Sequence, residues 1–239
     1  IMPYYRKIDS VNRTIKSVIK QTYKKFELII VYDDETAEDY HKIKKFIANN
    51  KKIRIIKNRK NIGAGQSRNI GIKNSNGSIV TFIDSDDTWH PQKLKKQLNF
   101  LNKNNHNFIF CGYKKIFKKK SIEVNIDSEY LSYKDLLKSC EIGLSTVMIK
   151  KKIIDNNLFT NLKTQEDFAA WLKITKKHNA FFLNEVLVNW YDTENSLSSN
   201  FFQKLFDAYK VFYLNQKFSL VKSFYYLIIL SANSIKRKF

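Results

Sequence analysis

The feature that most constrains the fold is a regular alternation of strand-like and helix-like segments over the first hundred residues. Short apolar runs rich in β-branched residues lie at positions 26–31, 53–56 and 79–83. Segments with the apolar spacing of amphipathic helices lie at 14–21 and 40–49, and this alternation is typical of a mainly parallel sheet flanked by helices. We therefore predict an α/β fold of three layers, α/β/α, with a mainly parallel mixed sheet.

Beyond about residue 108 the connections between predicted elements become longer. A helix is predicted at 168–177. Because the pattern of predicted elements changes near residue 108, we divide the chain into residues 1–107, residues 108–200 and a tail at 201–239. Further strands are predicted at 108–113, 122–126, 147–149, 180–183 and 186–190.

Carboxylates follow two of the predicted strands at the point where each strand ends. The first strand runs into Asp33 and Asp34, and the third runs into Asp84, Asp86 and Asp87. Ligands of open α/β sheets bind at this end of the strands, and a divalent cation with oxygen ligands would remove the repulsion between these acids. Asp84 and Asp86 would point to the same side of an extended segment, one towards a ribose hydroxyl and the other towards a metal. The alternative is that these last acids form a turn and cap the next helix.

A glycine-containing stretch lies between those two strands. Gly63 and Gly65 permit a close approach of the backbone, and Arg68 has the length to reach a base or a phosphate. The stretch is not a dinucleotide-binding fingerprint, because Arg68 stands where that motif has its third glycine. The alternative is that both glycines are turn residues.

Another acidic pair, Glu166 and Asp167, opens the helix predicted around Trp171. Asp167 is a candidate general base. The alternative is an ordinary acid in the first turn of a helix, where the helix dipole favours negative charge.

The charge of the chain points to an anionic partner without identifying it. The sequence holds 43 Lys and Arg against 22 Asp and Glu, a formal net charge of +21, and 37 of the basic residues are lysines. Nucleic-acid readers rely on arginine, so the scarcity of arginine counts against a nucleic-acid-binding module. The two cysteines favour neither a disulfide scaffold nor a zinc site. No membrane-spanning segment or signal peptide is predicted.

The tail at 201–239 carries seven basic residues and one acid. Phe202, Phe206, Tyr209 and Tyr213 recur at helical spacing, which predicts an amphipathic helical tail. One hypothesis is interfacial attachment to a membrane through these aromatics and the neighbouring lysines. The other is that the same aromatics pack on the rest of the chain or on a second subunit.

Taken together, these motifs resemble family 2 glycosyltransferases of the GT-A fold, within the nucleotide-diphospho-sugar transferase superfamily. The likeness covers roughly residues 1–200. It departs from the family pattern where Glu35 replaces a glycine after the first acidic pair, and where Asp192 and Thr193 stand in place of a histidine. The segments that carry it lie at 17–23, 26–34, 61–71, 77–87, 145–149, 166–172 and 194–198.

The resemblance implies an inverting, metal-dependent transfer of a sugar from a UDP-sugar to an acceptor hydroxyl, in the synthesis of a bacterial surface polysaccharide or lipopolysaccharide. Residues 1–107 would bind the nucleotide-sugar and residues 108–200 would face the acceptor. Asp167 would be the catalytic base and Asp86 the ligand of Mn²⁺ or Mg²⁺. The nucleotide-binding residues would be Pro3, Asp33, Asp34, Arg68, Asp84 and Ser85, and Glu166 and Trp171 would lie on the acceptor side.

Within that set, Asp33 or Asp34 would hydrogen-bond the uracil, Arg68 would lie beside the base, and Asp84 would touch the ribose. The implied partners are a UDP-sugar and a glycan or lipid-linked acceptor, with peripheral membrane contact through 201–239 and no nucleic acid. The implied location is the cytoplasm or the inner face of the cell membrane. The alternatives are the nucleic-acid-binding module and a catalytically inactive GT-A scaffold.

Overall fold

The computed structural model describes residues 1–118, 120–155, 157–192 and 200–236. The motif at 194–198 and the departure at Thr193 lie outside the described residues. Within the described part, strands β1 (Met2–Tyr4), β2 (Leu28–Tyr32) and β3 (Ile53–Lys57) form a parallel sheet in that order. Strands β2 and β3 are rich in branched apolar residues, and all five residues of β2 are buried, as expected of a strand that is covered on both faces.

A second, mixed sheet continues this one. Strands β6 and β10 run parallel to each other, whereas β4, β5, β7, β8 and β9 pair antiparallel with their neighbours, in the order β4-β9-β6-β10-β5 with β7 on β6 and β8 on β10. These strands are β4 (Ile79–Thr81), β5 (Thr88–Trp89), β6 (Phe108–Ile116), β7 (Ser121–Val124), β8 (Tyr130–Leu131), β9 (Met148–Lys150) and β10 (Ala180–Tyr191).

Ile1 joins the two sheets. Its amino group donates to the carbonyl oxygen of Thr81 at 2.9 Å, and its carbonyl oxygen accepts from the amide of Ile83 at 3.1 Å. This is the hydrogen-bond pattern of parallel neighbours. The carboxyl ends of β1, β2 and β4 therefore meet along one edge.

Helices cover both faces of the joined sheets. Helices α1, α2 and α4 pack on one face around Ile15, Ile43 and Leu94, and α3, α5 and α6 pack on the other around Phe82 and Trp171. The three-layer α/β prediction is confirmed. These helices are α1 (Ile8–Ile19), α2 (Glu38–Ile47), α3 (Ala64–Lys73), α4 (Lys93–Lys103), α5 (Tyr133–Leu136) and α6 (Glu166–Thr175).

Helix α3 occupies the glycine-containing stretch for which turn residues were the alternative. A Cβ atom on Gly65 would lie 2.4 Å from the carbonyl oxygen of Thr160, and one on Gly71 would lie 2.4 Å from the Cγ2 atom of Ile1. These glycines serve close helix packing. Only Gly63, with φ at +86°, fits the turn interpretation, and it lies at the start of the helix.

The structure corrects one alternative and one prediction elsewhere in the chain. Residues 84–87 do form a turn, but the turn leads into β5 and caps no helix, since α4 begins only at Lys93 and its N-terminus has no side-chain cap. The strands predicted at 180–183 and 186–190 are one strand, β10, with register shifts against β6 on both sides of Val186. A shift of one residue reverses the apolar alternation, so one strand has the sequence pattern of two.

The tail forms two helices, α7 (Phe201–Lys210) and α8 (Leu220–Lys236), joined through a π-helical turn (Val211–Asn215). Ala208, Phe212 and Leu230 are buried in the same core cluster as α6. The aromatic stripe does not lie in that core, because Phe202 is 81% exposed and Phe206 and Tyr213 are also exposed. Among the described residues, no helix has both the length and the apolar character that crossing a bilayer requires.

Candidate active site

The acidic turn after β4 is held by a serine from a distant part of the chain. The amide of Asp87 donates to the carbonyl oxygen of Asp84 at 3.1 Å, which closes the turn. The hydroxyl of Ser145 donates to Asp87 Oδ2 at 2.5 Å and accepts from the amide of Asp84 at 3.1 Å. The indole of Trp89 donates to the carbonyl oxygen of Ser145 at 2.9 Å. Asp87 is therefore a positioning residue that fixes the turn.

Asp86, the predicted metal ligand, faces basic side chains. The ammonium of Lys7 lies 3.2 Å from Asp86 Oδ2, and Arg13 donates to the backbone oxygen of Asp86 at 3.0 Å. Lys7 follows β1 just as the acids follow β2 and β4. The sequence analysis did not predict Lys7 as a site residue, because it considered only acids after the strands. The rule that ligands bind at the carboxyl ends of strands would have included Lys7.

Arg68 links the two acidic regions of the sequence. It lies on α3 with its side chain 4% exposed, and it donates to Asp84 Oδ1 at 2.8 Å and to Glu166 Oε1 at 2.7 Å. Phe159 lies under its guanidinium, 5.4 Å away. The structure therefore places Arg68 between two carboxylates, and the burial of its guanidinium argues against the predicted position beside a base.

Asp167 lies in the first turn of α6, beside Glu166. Burial, and then the neighbouring Glu166 carboxylate, raise the pKa of Asp167 to about 7, while Arg68 opposes the shift. Its Oδ1 atom accepts from the amide of Phe168 at 2.7 Å. A carboxylate with a pKa near neutrality is suited to general base chemistry. The position also fits the alternative of a first-turn acid.

The backbone that leads into Asp167 is strained and anchored. Gln165 has φ at +62°, a left-handed conformation that costs free energy in a residue with a side chain. The amide and the hydroxyl of Thr164 both donate to Asp207 Oδ2 at 2.9 Å. Asp207 belongs to α7, so a tail residue fixes the segment immediately before the candidate base.

The acids after β4 fit a divalent cation. Burial is the largest cause that raises the pKa of Asp84 and that of Asp87, and charges on neighbouring acids add to both shifts. Asp87 Oδ1 is buried and has no hydrogen-bond partner among the described residues. A cation at Asp86 would offset this crowding of carboxylates. One or two carboxylates plus diphosphate oxygens are the donor set that Mg²⁺ commonly takes.

Asp33 and Asp34, at the end of β2, are both buried. Asp33 Oδ1 accepts from Asn58 at 2.7 Å and from the amide of Ile62 at 2.9 Å, and Asp33 Oδ2 accepts from the amide of Gly63 at 2.8 Å. The carboxylate of Asp34 accepts from Arg6 at 3.2 Å and from the amide of Thr36 at 3.1 Å. Asp33 therefore holds the loop that enters α3.

We expect Asp33→Ala to lower the free energy of unfolding by about 3 kcal/mol or more, because each buried donor left unpaired costs about 1–3 kcal/mol. Urea denaturation followed by circular dichroism measures the change. Glu35→Ala, at an exposed acid two residues away, is the matched control and should be near neutral. Equal stability of the two variants would contradict the anchoring role of Asp33.

The remaining predicted residues lie at different depths. Pro3 is buried within β1, and the carbonyl oxygen of Ser85 accepts from the hydroxyls of Ser10 and Thr14, each at 3.0 Å. Trp171 is fully buried and its indole donates to the carbonyl oxygen of Ile142 at 3.2 Å. The prediction of Trp171 as an acceptor-side contact was wrong: it is a core residue.

Comparison with known proteins identifies the family. The family model described as Glycosyl transferase family 2 matches residues 1–175. The chain is 31% identical over 207 residues to the UDP-Glc:alpha-D-GlcNAc-diphosphoundecaprenol beta-1,3-glucosyltransferase WfgD of Escherichia coli, covering 86% of this chain and 81% of that protein. The chain therefore belongs to glycosyl transferase family 2 and is a glycosyltransferase.

Two solved structures show the same fold. TarS 1-349 of S. aureus in complex with UDP-GlcNAc superposes with a TM-score of 0.74 at 20% identity, over 90% of this chain and 64% of that one. The mannosyltransferase PcManGT of Pyrobaculum calidifontis, in complex with GDP-Man and Mn2+, superposes with a TM-score of 0.70 at 12% identity, over 95% of this chain and 68% of that one. This chain thus spans somewhat less than two thirds of the TarS chain. The predicted GT-A fold is confirmed.

Proposed function

We propose that the protein transfers a sugar from a UDP-sugar to a hydroxyl of a lipid-linked glycan acceptor, with inversion at the anomeric carbon, in the synthesis of a bacterial surface polysaccharide. The Escherichia coli relative is named for UDP-Glc and a diphosphoundecaprenol-linked acceptor, and TarS is described with UDP-GlcNAc. These names support the donor class and the acceptor class.

The observation that carries the proposal is the Arg68 bridge. Its guanidinium holds Asp84, at the end of β4, and Glu166, at the start of α6, within one hydrogen-bonded unit. The turn after β4 and the candidate base therefore lie close together, although Asp167 follows Asp84 by 83 positions in the sequence. Direct transfer between two bound substrates needs this proximity.

In the proposed reaction, Asp167 takes the proton of the acceptor hydroxyl as that oxygen attacks the anomeric carbon of the donor. The bond from the anomeric carbon to the diphosphate breaks, and the diphosphate keeps the electron pair. A single in-line displacement inverts the anomeric centre and needs no nucleophile from the protein. Asp84 is the proposed ribose contact, and Asp33 or Asp34 the proposed uracil contact.

Asp86 would hold Mn²⁺ or Mg²⁺, which supplies Lewis-acid stabilisation of the departing diphosphate when bound. The complex of PcManGT with GDP-Man and Mn2+ supports this proposal. The ion pair with Arg68 orients Asp84 beside it and opposes the rise in the pKa of Asp84 that burial causes. We further propose that residues 1–107 bind the donor and that residues 108–200 bind the acceptor. The proposed location of the enzyme is the inner face of the cell membrane.

The pH dependence of the reaction follows from the pKa of Asp167. The base must be ionised, so kcat/KM should rise with pH up to about 7 and then level off, since the pKa of Asp167 is about 7. Because the Glu166 carboxylate raises the pKa of Asp167, Glu166→Gln should move the midpoint to lower pH. A pH series of initial rates measures both effects, with UDP affinity measured at each pH as the control. A flat profile between about pH 5.5 and 8 would contradict the assignment.

A panel of UDP-sugars screened for hydrolysis and transfer tests the proposed function. At least one donor should be turned over in the presence of Mn²⁺ or Mg²⁺. The same donor should not be turned over in the presence of a chelator. An inactive scaffold would turn over none of them and would bind UDP no more tightly with metal than without it.

A further inference from the structure

The tail helices present an apolar surface to solvent, which we call the C-terminal apolar face. It comprises Phe202, Phe206, Tyr213, Val221, Phe224 and Ile228, all exposed, with Phe202 and Val221 each at 81%. Tyr209 makes the surface continuous, because its ring stacks on Tyr213 at 5.6 Å and contacts Phe224 of the other helix at 5.1 Å. An exposed apolar surface that spans two helices is typical of an interaction site.

Lysines border this face. The ammonium of Lys210 lies 4.1 Å from the ring centre of Phe206, a residue of the face. Lys222 adjoins Val221 of the face in the sequence, and its ammonium lies 4.1 Å from the ring centre of the neighbouring Phe218. Lys217 is exposed at the turn before α8. The single acid between residues 200 and 236 is Asp207, which is buried and accepts from Thr164 and Gln203.

This combination favours a lipid surface over a second protein chain. Interfacial helices place aromatic and branched side chains in the headgroup region and lysines towards anionic lipids. Protein interfaces are, in contrast, depleted in lysine relative to the rest of the protein surface. A second copy of this chain would also bring two lysine-bordered faces of the same charge together.

The face also borders the segment that leads into the candidate base Asp167. A groove of about 380 Å³ separates α7 from the segment before α6. Leu162, Phe206 and Leu214 give it apolar walls, and Lys163 and Lys210 line it as well. Asp207 connects the same helix to Thr164, three residues before Asp167.

We propose that the C-terminal apolar face lies in the headgroup region of an anionic membrane and thereby presents the acceptor side of the site to lipid-linked substrates. The acceptor class rests on the proposed function, whereas the membrane contact rests on the exposed face and its lysines. The surface binds lipid whether or not a donor is present.

Cosedimentation of the full chain with vesicles tests the proposal. Vesicles of phosphatidylcholine mixed with phosphatidylglycerol should bind the protein, and those of phosphatidylcholine alone should bind it more weakly, with the difference reduced by salt. The variant V221S/F224S/I228S should lower the partition coefficient at least about tenfold, because three apolar side chains no longer enter the lipid. The control I19S/F46S/I122S, at exposed apolar positions elsewhere, should bind like the parent.

The charge contribution is measured in the same assay. Each of Lys217→Gln and Lys222→Gln should weaken binding to the anionic vesicles about fivefold, and Lys51→Gln and Lys152→Gln, at exposed positions outside the tail, should not. No binding to either vesicle, or binding unchanged in V221S/F224S/I228S, would overturn the proposal. A dimer in light scattering that V221S/F224S/I228S dissociates, without vesicle binding, would assign the face to a second copy and overturn it as well.

The affinity for UDP separates this proposal from the proposed function. Calorimetry should give the same UDP affinity for V221S/F224S/I228S and the parent, since the substituted residues lie in α8, outside the candidate site. Vesicle binding without UDP binding would support the membrane surface and reject the function. UDP binding without vesicle binding would support the proposed function and reject the membrane surface.

Discussion

Replacing Asp167 with asparagine is expected to lower kcat for transfer by about 10²–10⁴-fold, the usual contribution of a general base. Asparagine keeps the shape of the side chain and can still accept from the amide of Phe168, but it cannot take a proton. The KM for the donor should change little, because Asp167 contacts the acceptor hydroxyl in the proposed reaction. Initial rates at saturating donor and acceptor measure the loss.

The expected stability of Asp167→Asn separates a loss of catalysis from a loss of folding. The pKa of Asp167 in the folded protein, about 7, lies above its ordinary value of 3.8, so the folded state favours the protonated acid. That stabilisation is complete below pH 3.8 and is lost as the pH rises through about 7. At pH 8 the uncharged asparagine should therefore leave Tm unchanged or raise it. Asp155→Asn, at an exposed acid, is the control, and equal activity of the two variants would refute the assignment of the base.

Replacing Asp86 with asparagine is expected to remove the metal dependence of the enzyme. A Lewis-acid cation contributes several kcal/mol to stabilising the charge of the leaving group, so kcat/KM should fall by about 10²-fold or more. The affinity for UDP should also fall, and what remains should no longer respond to Mn²⁺. Calorimetric titration with UDP, with and without Mn²⁺, measures this directly.

Glu35→Gln provides the control for Asp86→Asn, because it removes one negative charge from the neighbouring strand end at an exposed position. It should keep the response to Mn²⁺. If Asp86→Asn still bound UDP more tightly with Mn²⁺ than without it, the cation would be held elsewhere and the assignment of Asp86 would fail.

The sequence predicts the layers of this fold well, because each layer depends on local apolar spacing. Strand β2 and helix α2 lie within two residues of the predicted bounds. Helix α3 was missed because its two glycines are explained only by contacts with Thr160 and Ile1, which are distant in the sequence. Spacing alone cannot report such contacts.

The candidate site likewise has features that the local sequence predicts and features that depend on distant residues. That Asp84 and Asp86 lie at a strand end is a local property, and the structure has both there. The role of Arg68 depends on where Glu166 lies, 98 residues away, and the role of Asp87 depends on Ser145. Trp171 shows the opposite error, because the family resemblance implied an acceptor-side position for a residue that is fully buried in the core.

The tail shows that spacing can predict a helix without predicting its environment. The stripe from Phe202 to Tyr213 has the predicted helical spacing, yet the core is contacted through Ala208, Val211 and Phe212 on another face. An apolar stripe is normally the buried one. Here the helices are apolar on more than one side, and only packing decides which side is left exposed.

Transfer of a sugar from a UDP-sugar to a diphospholipid-linked glycan by the full chain tests the central claim most directly, with the anomeric configuration of the product read by proton NMR. We expect one donor of the panel to give a product extended by a single sugar, β-linked when the donor is α-linked, and only when a divalent cation is present. An α-linked product would contradict the single displacement at Asp167. No product from any UDP-sugar would contradict the assignment of the donor.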